Sequence, residues 1–277
     1  MNRLAAVLCI GIFVTSGGPA AAQTPLERGT YLMRSIVACG NCHTPKGPEG
    51  ELPGMELAGG FEFDEPPFTA YAANITPDQE TGIGSWSDAE IITAIREGKR
   101  PDGSIIGPPM PIELYRHLSD ADAEAIVAYL RSVAAVKNAV KQSEYRMPLP
   151  ESYGPPVGHV MAPSADDKVA HGEYLATIGH CFECHTPQTA DGGRDYENRY
   201  GAGGSEFHGP WGTSVAANIT PAGLGSYTDE ELKTIIQTGV RPNGSKLLPP
   251  MAVPYYANIS AADMDALVAY LRSLPPK

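Results

Sequence analysis

The chain has 277 residues, of which 32 are acidic and 20 are basic, so its formal net charge is −12. This balance argues against nucleic acid as a partner, because a phosphate backbone is bound through lysine and arginine. The chain has only five cysteines but 30 glycines and 26 prolines, a composition that predicts long irregular loops.

Residues 1–22 have the pattern of a cleaved secretory signal. Arg3 supplies the positive start, an apolar run containing Cys9 follows, and Ala20 and Ala22 form a small-residue cleavage site. The apolar run is too short to span a bilayer, and no later stretch approaches the required length. We therefore expect a periplasmic protein with no membrane anchor of its own, which is peripheral to the inner membrane at most.

The rest of the chain consists of one sequence unit that occurs twice. The string ANITP occurs at 73–77 and again at 217–221, and AYLRS occurs at 128–132 and again at 269–273. Such a duplication predicts two domains of a size that folds alone, and we expect them to pack with an approximate twofold relation. The predicted boundaries are 23–135 for the first domain, 136–165 for a linker and 166–277 for the second domain.

Each copy contains three helix signals. The predicted helices span about 24–39, 87–98 and 119–133 in the first copy and about 166–181, 228–239 and 260–274 in the second. The second helix of each copy begins at a capping box, Ser87 with Glu90 and Thr228 with Glu231. Almost no segment alternates as a strand does, so the sequence predicts an all-α fold with long loops rich in glycine and proline.

The linker contains five prolines and has no helical period. Several of its side chains are apolar or aromatic, namely Tyr145, Met147, Tyr153, Val157 and Met161. We therefore predict an extended segment packed across both domains, in preference to a flexible tether.

The four cysteines outside the signal segment form the motif Cys-x-x-Cys-His twice. Its residues are Cys39, Cys42 and His43 in the first copy and Cys181, Cys184 and His185 in the second. Residues three and four apart share one helix face, so two thiols can be linked to one porphyrin while the histidine reaches its iron. This spacing is typical of c-type haem attachment and predicts two covalently bound haem c groups, with His43 and His185 as iron ligands. A redox Cys-x-x-Cys or half of a zinc site is the alternative, but neither requires the trailing histidine.

The second axial ligand decides what such an iron can do. A side filled by Met or His suits electron transfer, whereas an open side can bind peroxide or substrate. Met110 and Met251 lie at matched positions after Pro-Pro, and no other methionine pair matches between the copies. We predict these two as iron ligands, although a core methionine is the ordinary role of the residue. His117 and His208 are the fallback ligands, but neither has a histidine at the corresponding position of the other copy.

Further matched polar residues suggest a haem environment. Trp86 and Tyr227 occupy one repeat position, and each could donate a hydrogen bond to a buried propionate. Arg100 and Arg241 could pair with the same carboxylates. The alternative for Trp86 and Tyr227 is an aromatic residue of the core, and the alternative for Arg100 and Arg241 is a solvated arginine.

The run from Cys-x-x-Cys-His through NITPD, WSDAE and RPDG to AYLRS resembles the cytochrome c subunits of bacterial membrane-associated alcohol, gluconate and sorbitol dehydrogenases. Those subunits carry three such modules, and this chain has two. The resemblance implies two tandem cytochrome c-like domains in a periplasmic carrier. Such a carrier accepts electrons from a dehydrogenase and passes them to a quinone, a terminal oxidase or another cytochrome.

Two enzyme classes are alternatives to the carrier. A dihaem peroxidase needs one open haem, and thiosulfate dehydrogenases of dihaem type use a cysteine as an iron ligand. The two motifs account for every cysteine outside the signal segment, and the methionines are matched. The sequence therefore favours the carrier, with no catalytic residue.

Overall fold

The computed structural model describes residues 23–189, 193–209 and 211–277. The predicted signal segment, with Cys9, lies outside these residues. The helices are α1 (Pro25–Arg34), α2 (Gly40–His43), α3 (Asp88–Glu97), α4 (Ile112–Tyr115), α5 (Asp120–Ser132), α6 (Lys168–Ile178), α7 (Cys181–His185), α8 (Pro221–Leu224), α9 (Asp229–Thr238), α10 (Val253–Tyr256) and α11 (Ala261–Ser273). The strands are β1 (Lys46–Gly47), β2 (Gly50–Glu51), β3 (Glu62–Glu65), β4 (Phe68–Tyr71), β5 (Glu144–Tyr145), β6 (Glu206–Gly209) and β7 (Gly212–Val215).

Across the described part of the chain, every helix is too short or too polar to cross a lipid bilayer.

The first helix of each copy ends earlier than the sequence predicts. Helix α1 begins at a capping box formed by Thr24 and Glu27, but it ends at Arg34 instead of continuing to the first motif cysteine. The chain leaves α1 at its C-cap Ser35, which has φ −129° and ψ −106°. Ala38 and its counterpart His180 then have φ of 50° and 44°, a left-handed conformation that keeps the haem motif from continuing the first helix. The haem motif of each copy therefore begins just after a chain reversal and lies on a short helix of its own.

The other two helices of each copy confirm the sequence prediction. Ser87 and Thr228 each form the expected capping box, with Glu90 and Glu231 respectively. Helices α3 and α9 then end at Gly98 and Gly239, with φ of 66° and 68°, a conformation that glycine adopts without strain. Helices α5 and α11 begin at matched serine caps.

The core of each domain is a pair of crossed helices, α1 with α5 and α6 with α11. The backbones approach closely at Gly29 and Gly172. A Cβ atom there would lie 1.9 Å from the carbonyl oxygen of Ala125 and 2.0 Å from that of Ala266. The buried apolar residues form one cluster that includes side chains of both domains, such as Leu32 and Leu175.

The prediction of an all-α fold holds for the core but not for the loops, which contain short antiparallel hairpins. Strand β3 pairs with β4, so that Glu62 is opposite Tyr71, and β6 pairs with β7, so that Glu206 is opposite Val215. Each strand has four residues, which is too short to leave a clear alternating pattern. The fold is therefore helical, with small surface sheets.

The linker packs mainly on the first domain, whereas the sequence predicts packing across both domains. Strand β5 extends the first hairpin by pairing Tyr145 with Phe68. Further along, the Tyr153 hydroxyl donates to the carbonyl oxygen of Ile106 at 2.8 Å. Met161 was predicted to help with this packing, but it is 77% exposed and does not serve as an anchor.

At the interface between the domains, a tyrosine of each domain donates a hydrogen bond to an aspartate of the other. The Tyr31 hydroxyl donates to Asp263 Oδ2 at 2.6 Å. In return, the Tyr174 hydroxyl donates to Asp122 Oδ2 at 2.7 Å. Tyr31 and Tyr174 lie at matched positions of the two copies, as do the two aspartates. Such reciprocal contacts are what an approximate twofold relation produces.

Candidate functional site

Each haem motif occupies one helical turn. Cys39 directly precedes α2, which contains Cys42 and His43, while α7 begins at Cys181 and ends at His185. The four motif thiols form no disulfide. They are therefore available for covalent attachment.

Burial suppresses ionisation of these thiols. It raises the pKa of Cys39, Cys181 and Cys184 to about 12, and it also raises the pKa of Cys42. A redox Cys-x-x-Cys motif instead works through a lowered thiol pKa. The environment of both motifs therefore fits an apolar haem pocket and disfavours a dithiol redox centre.

The two motif histidines are oriented by backbone carbonyls. Nδ1 of His43 lies 2.7 Å from the carbonyl oxygen of Ala73, and Nδ1 of His185 lies 2.7 Å from that of Ala217. Burial lowers the pKa of both imidazoles, against the opposing effect of these hydrogen bonds. A neutral ring that donates through Nδ1 presents a free lone pair at Nε2, the arrangement typical of a metal-ligating histidine.

The second domain contains a cavity of about 460 Å³ around its motif. Its walls include most of the predicted site residues of that copy, namely Cys181, Cys184, His185, Tyr227, Arg241 and Met251. Ile235 and Ile236 also line it, which explains why these helix residues are only partly buried. A cavity of this size with apolar walls and a few convergent polar groups is typical of a cofactor site. The side chains present therefore fit a haem group, with the imidazole of His185 and the thioether of Met251 both in the cavity lining.

In the first domain the corresponding side chains pack against the common apolar core. Cys39, Trp86 and Met110 are partly buried and contact that core. Met110 and Met251 precede matched short helices in the same way. The carbonyl oxygen of Met110 accepts the N–H of the first residue of α4, and that of Met251 accepts the N–H of the first residue of α10.

The fallback ligands lie at the surface. His117 is exposed, and the His208 side chain is 66% exposed. Nδ1 of His208 lies 3.0 Å from the hydroxyl oxygen of Thr213. His208 does not line the cavity of its own domain.

The two predicted arginines hold their own loops. Arg100 donates to the carbonyl oxygen of Ile105 at 3.1 Å, and Arg241 donates to that of Lys246 at 3.4 Å. A guanidinium has five N–H donors, and Arg241 also lines the cavity. Pairing of these arginines with haem carboxylates remains a prediction.

The sequence reasoning missed two tyrosines between the motifs. Burial raises the pKa of Tyr115 and Tyr256 well above the ordinary value, and nearby thiols add to the effect. Tyr256 interacts in this way with Cys42 of the other domain as well as with both cysteines of its own motif. The repeat could have identified the pair, because the two tyrosines are 141 positions apart, as are Met110 and Met251.

Comparison with known proteins agrees with this geometry. The cytochrome c family pattern matches residues 27–134 and again residues 169–275. The chain is 31% identical over 309 residues to the cytochrome c subunit of the quinone-dependent alcohol dehydrogenase of Gluconacetobacter polyoxogenes, covering 100% of this chain and 63% of the relative. It is 31% identical over 297 residues to the gluconate 2-dehydrogenase cytochrome c subunit of Pantoea cypripedii, covering 99% and 65%. A diheme cytochrome c-type protein of Cereibacter sphaeroides is 29% identical over 249 residues, covering 86% and 82%.

The chain thus spans less than two thirds of the length of the two dehydrogenase subunits. Each of its two family matches contains one Cys-x-x-Cys-His motif with partly buried cysteines and an oriented histidine. The chain belongs to the cytochrome c family, and it carries two covalently bound haem c groups.

Proposed function

We propose that the protein is a periplasmic electron carrier. It accepts electrons from a dehydrogenase and passes them toward the respiratory chain, to a quinone, an oxidase or another cytochrome. The observation that carries this proposal is the position of Met251, which lines the same cavity as His185 and the two motif thiols. The names of the relatives support a dehydrogenase as the donor.

The chemistry of the site divides between the cofactor and the chain. A bound haem c supplies reversible one-electron transfer. Cys181 and Cys184 hold the group in place, and His185 presents its Nε2 lone pair. Met251, which lines the same cavity, would offer its thioether sulfur as the second iron ligand, and that ligand would exclude water and peroxide and favour the reduced state.

The two motifs are close enough for their side chains to interact. The pKa of Cys184 is raised to about 12 first by burial and then by Glu183, with a further contribution from Cys42 of the other domain. Tyr115 and Tyr256 lie in the same region and stay uncharged at neutral pH. The side-chain amide of Asn41, inside the first motif, donates to the carbonyl oxygen of Pro250, next to Met251, at 3.1 Å. This contact between the two sites supports electron transfer within the chain.

The experiment that tests the carrier uses the oxidised holoprotein. If Met110 and Met251 both bind iron, the near-infrared spectrum contains the sulfur-to-iron charge-transfer band and both haems are low-spin. Met251→Ala should remove one haem's share of the band, open that haem to carbon monoxide and lower its potential, because the thioether favours ferrous iron. Met110→Ala should do the same to the other haem.

Met161→Ala is the matched control, because this methionine is 77% exposed, and it should leave the band unchanged. A wild-type protein with a high-spin haem that reacts rapidly with hydrogen peroxide would contradict the carrier. A dihaem enzyme with one open iron would then be the better assignment.

A further inference from the structure

The cavity of the second domain is completed by side chains of the first. Most of its lining belongs to the second domain, but Ile36 and Asn41 also line it. Asn41 lies inside the first haem motif, between Cys39 and Cys42. The site that contains Met251 therefore includes part of the attachment turn of the other haem.

The Asn41 side chain joins two segments of the chain. Its Nδ2 donates to the carbonyl oxygen of Pro250 at 3.1 Å, and Pro250 directly precedes Met251. Its Oδ1 accepts a hydrogen bond from Nζ of Lys46 at 3.0 Å. Because an ammonium group can only donate and a carbonyl oxygen can only accept, these two partners fix the orientation of the amide.

The neighbouring motif residue contacts the helix that follows Met251. The Tyr255 side chain of α10 lies against Gly40, where a Cβ atom would be 2.1 Å from the tyrosine hydroxyl oxygen. The same hydroxyl donates to Glu51 Oε1 at 2.6 Å. A larger residue than glycine would displace this hydroxyl. The attachment turn of the first domain thus contacts the chain both before and after Met251.

The corresponding residues of the second motif contact their own domain. Phe182 stands in place of the motif glycine and stacks on Tyr200, with ring centroids 3.9 Å apart. Glu183 stands in place of Asn41 and accepts a hydrogen bond from the Tyr196 hydroxyl at 3.0 Å. Haem attachment therefore does not require an asparagine at this motif position, which leaves Asn41 available for another role.

The loop that precedes Met110 is held by the linker instead. The Tyr145 hydroxyl donates to the carbonyl oxygen of Pro108 at 3.1 Å, and the Tyr153 hydroxyl donates to that of Ile106 at 2.8 Å. The two methionine loops therefore have different anchors, so that a change at position 41 acts on the second loop.

We propose that Asn41 is a positioning residue of the second haem site, where its amide holds the loop that presents Met251 to the iron. Methionine ligation in the second domain then depends on the attachment turn of the first. The proposal rests on the electron-carrier function, in which Met251 is an iron ligand.

The hydrogen bond acts on Met251 through one peptide plane. The carbonyl group of Pro250 and the N and Cα atoms of Met251 lie in that plane, because the peptide bond is planar. A donor that fixes the Pro250 oxygen therefore also fixes the direction in which the methionine backbone continues. The Ser214 hydroxyl holds the preceding carbonyl, that of Pro249, at 2.6 Å. Asn41 is thus the nearer of these two anchors to the methionine.

The test uses the oxidised holoprotein with ¹³C-methyl-labelled methionine. Ferric iron shifts the methyl signal of a bound methionine far from the others, so Met110 and Met251 each give a separate signal, assigned from the two alanine variants. Added imidazole competes with each methionine for iron. Its apparent affinity at each haem depends on the fraction of iron from which the methionine is released. One titration therefore reports both ligands in the same sample.

Asn41→Ala should lower the imidazole midpoint of the Met251 signal about twofold to tenfold, because a neutral hydrogen bond contributes about 0.5–1.5 kcal/mol. The Met110 midpoint should stay unchanged, which makes it the internal control. Asn41→Asp keeps the size of the side chain but lacks the N–H donors. It should also lower the Met251 midpoint, which separates the hydrogen bond from packing.

Asn258→Ala is the matched control at the same interface. The Asn258 amide donates to the carbonyl oxygen of Arg34 in the first domain at 3.0 Å, and this residue does not line the cavity. Both midpoints should stay unchanged in Asn258→Ala. An equal shift in this control, or an equal shift of the Met110 midpoint in the Asn41 variants, would indicate a general loosening of the interface and overturn the proposal.

The outcomes for the two proposals are distinguishable. If the wild type shows both shifted methyl signals, the carrier function is supported, and an unchanged Met251 midpoint in the Asn41 variants overturns only the role of Asn41. A wild type without a shifted Met251 signal would overturn both. Intact mass should show two haems in every variant, and loss of one in Asn41→Ala would assign this residue to haem attachment instead.

Discussion

The contacts of Tyr174 at the interface between the domains allow us to predict how much Tyr174→Phe lowers the free energy of unfolding. The Tyr174 hydroxyl donates to Asp122 Oδ2 at 2.7 Å and accepts the backbone N–H of Ser119 at 3.1 Å. All three residues are buried, with 7%, 4% and 1% of their surface exposed. The variant preserves the ring and its packing, so it removes only the hydroxyl that joins the second domain to the N-terminus of α5.

The expected cost follows from these contacts. A hydrogen bond to a charged group contributes about 1.5–3 kcal/mol, and a buried N–H left without a partner costs about 1–3 kcal/mol. Asp122 keeps its two hydrogen bonds from Arg28, at 2.8 and 2.9 Å, which limits the loss. We expect Tyr174→Phe to lower the free energy of unfolding by about 2–4 kcal/mol.

The duplication supplies a comparison within the same chain. Tyr31→Phe removes the reciprocal hydroxyl, which contacts Asp263 and the backbone N–H of Ser260. Ser260 is exposed and Asp263 is partly exposed, so water can replace the lost partner. We therefore expect a smaller cost there, about 1–2 kcal/mol.

Urea unfolding of the holoproteins, followed by far-ultraviolet circular dichroism, measures these differences by linear extrapolation. Tyr270→Phe is the control, because its hydroxyl makes a long contact of 3.4 Å with that of Tyr200 inside one domain. Its cost should be below about 1 kcal/mol. If Tyr174→Phe costs no more than Tyr270→Phe, the reciprocal hydrogen bonds do not hold the domains together and the reasoning is refuted.

Two further predictions concern packing and pH. Gly172→Ala places a Cβ atom 2.0 Å from a carbonyl oxygen of α11, so it should lower the free energy of unfolding by about 3 kcal/mol or more, measured by thermal unfolding. Gly158→Ala is the control, because no atom lies within 4 Å of a Cβ atom there. Equal effects of the two variants would contradict the close helix crossing. Hydrogen bonds from His159 and Arg96 lower the pKa of Asp120, so its stabilising contribution is present above the ordinary carboxyl pKa and is lost as the pH falls through the lowered value. Asp120→Asn should flatten the acid limb of the stability profile, and an unchanged slope would rule out this contribution.

The sequence determined the features that depend on short-range spacing. Cys-x-x-Cys-His places its thiols and imidazole on one helical turn wherever that turn forms, so both haem motifs could be found without coordinates. The capping boxes at Ser87 and Thr228 act within four residues, and they set the starts of α3 and α9. The repeat added more, because matched positions singled out Met110 and Met251 for attention.

Tertiary structure decided what depends on long-range contacts. The first helices end early, at the C-caps Ser35 and Gly179, and Ala38 and His180 then adopt left-handed conformations before each motif. Nothing in the local propensity of Ala38 or His180 demands this conformation. The first hairpin is extended by a strand from far along the chain, where Glu144 pairs with Thr69, 75 residues earlier. A four-residue strand has too few side chains to record such pairing in its pattern.

Two sequence copies that look alike also differ in what surrounds them. The linker occupies the outer edge of β4, and in the described chain no strand occupies that of β7. Tyr115 and Tyr256 each lie near the motif of their own domain, and the packing of the domains brings Tyr256 near Cys42 of the other motif as well. The residues that attach each haem are therefore adjacent in the sequence and can be recognised there. How the two sites lie relative to each other depends on the burial of apolar surface between distant segments, which no local pattern encodes.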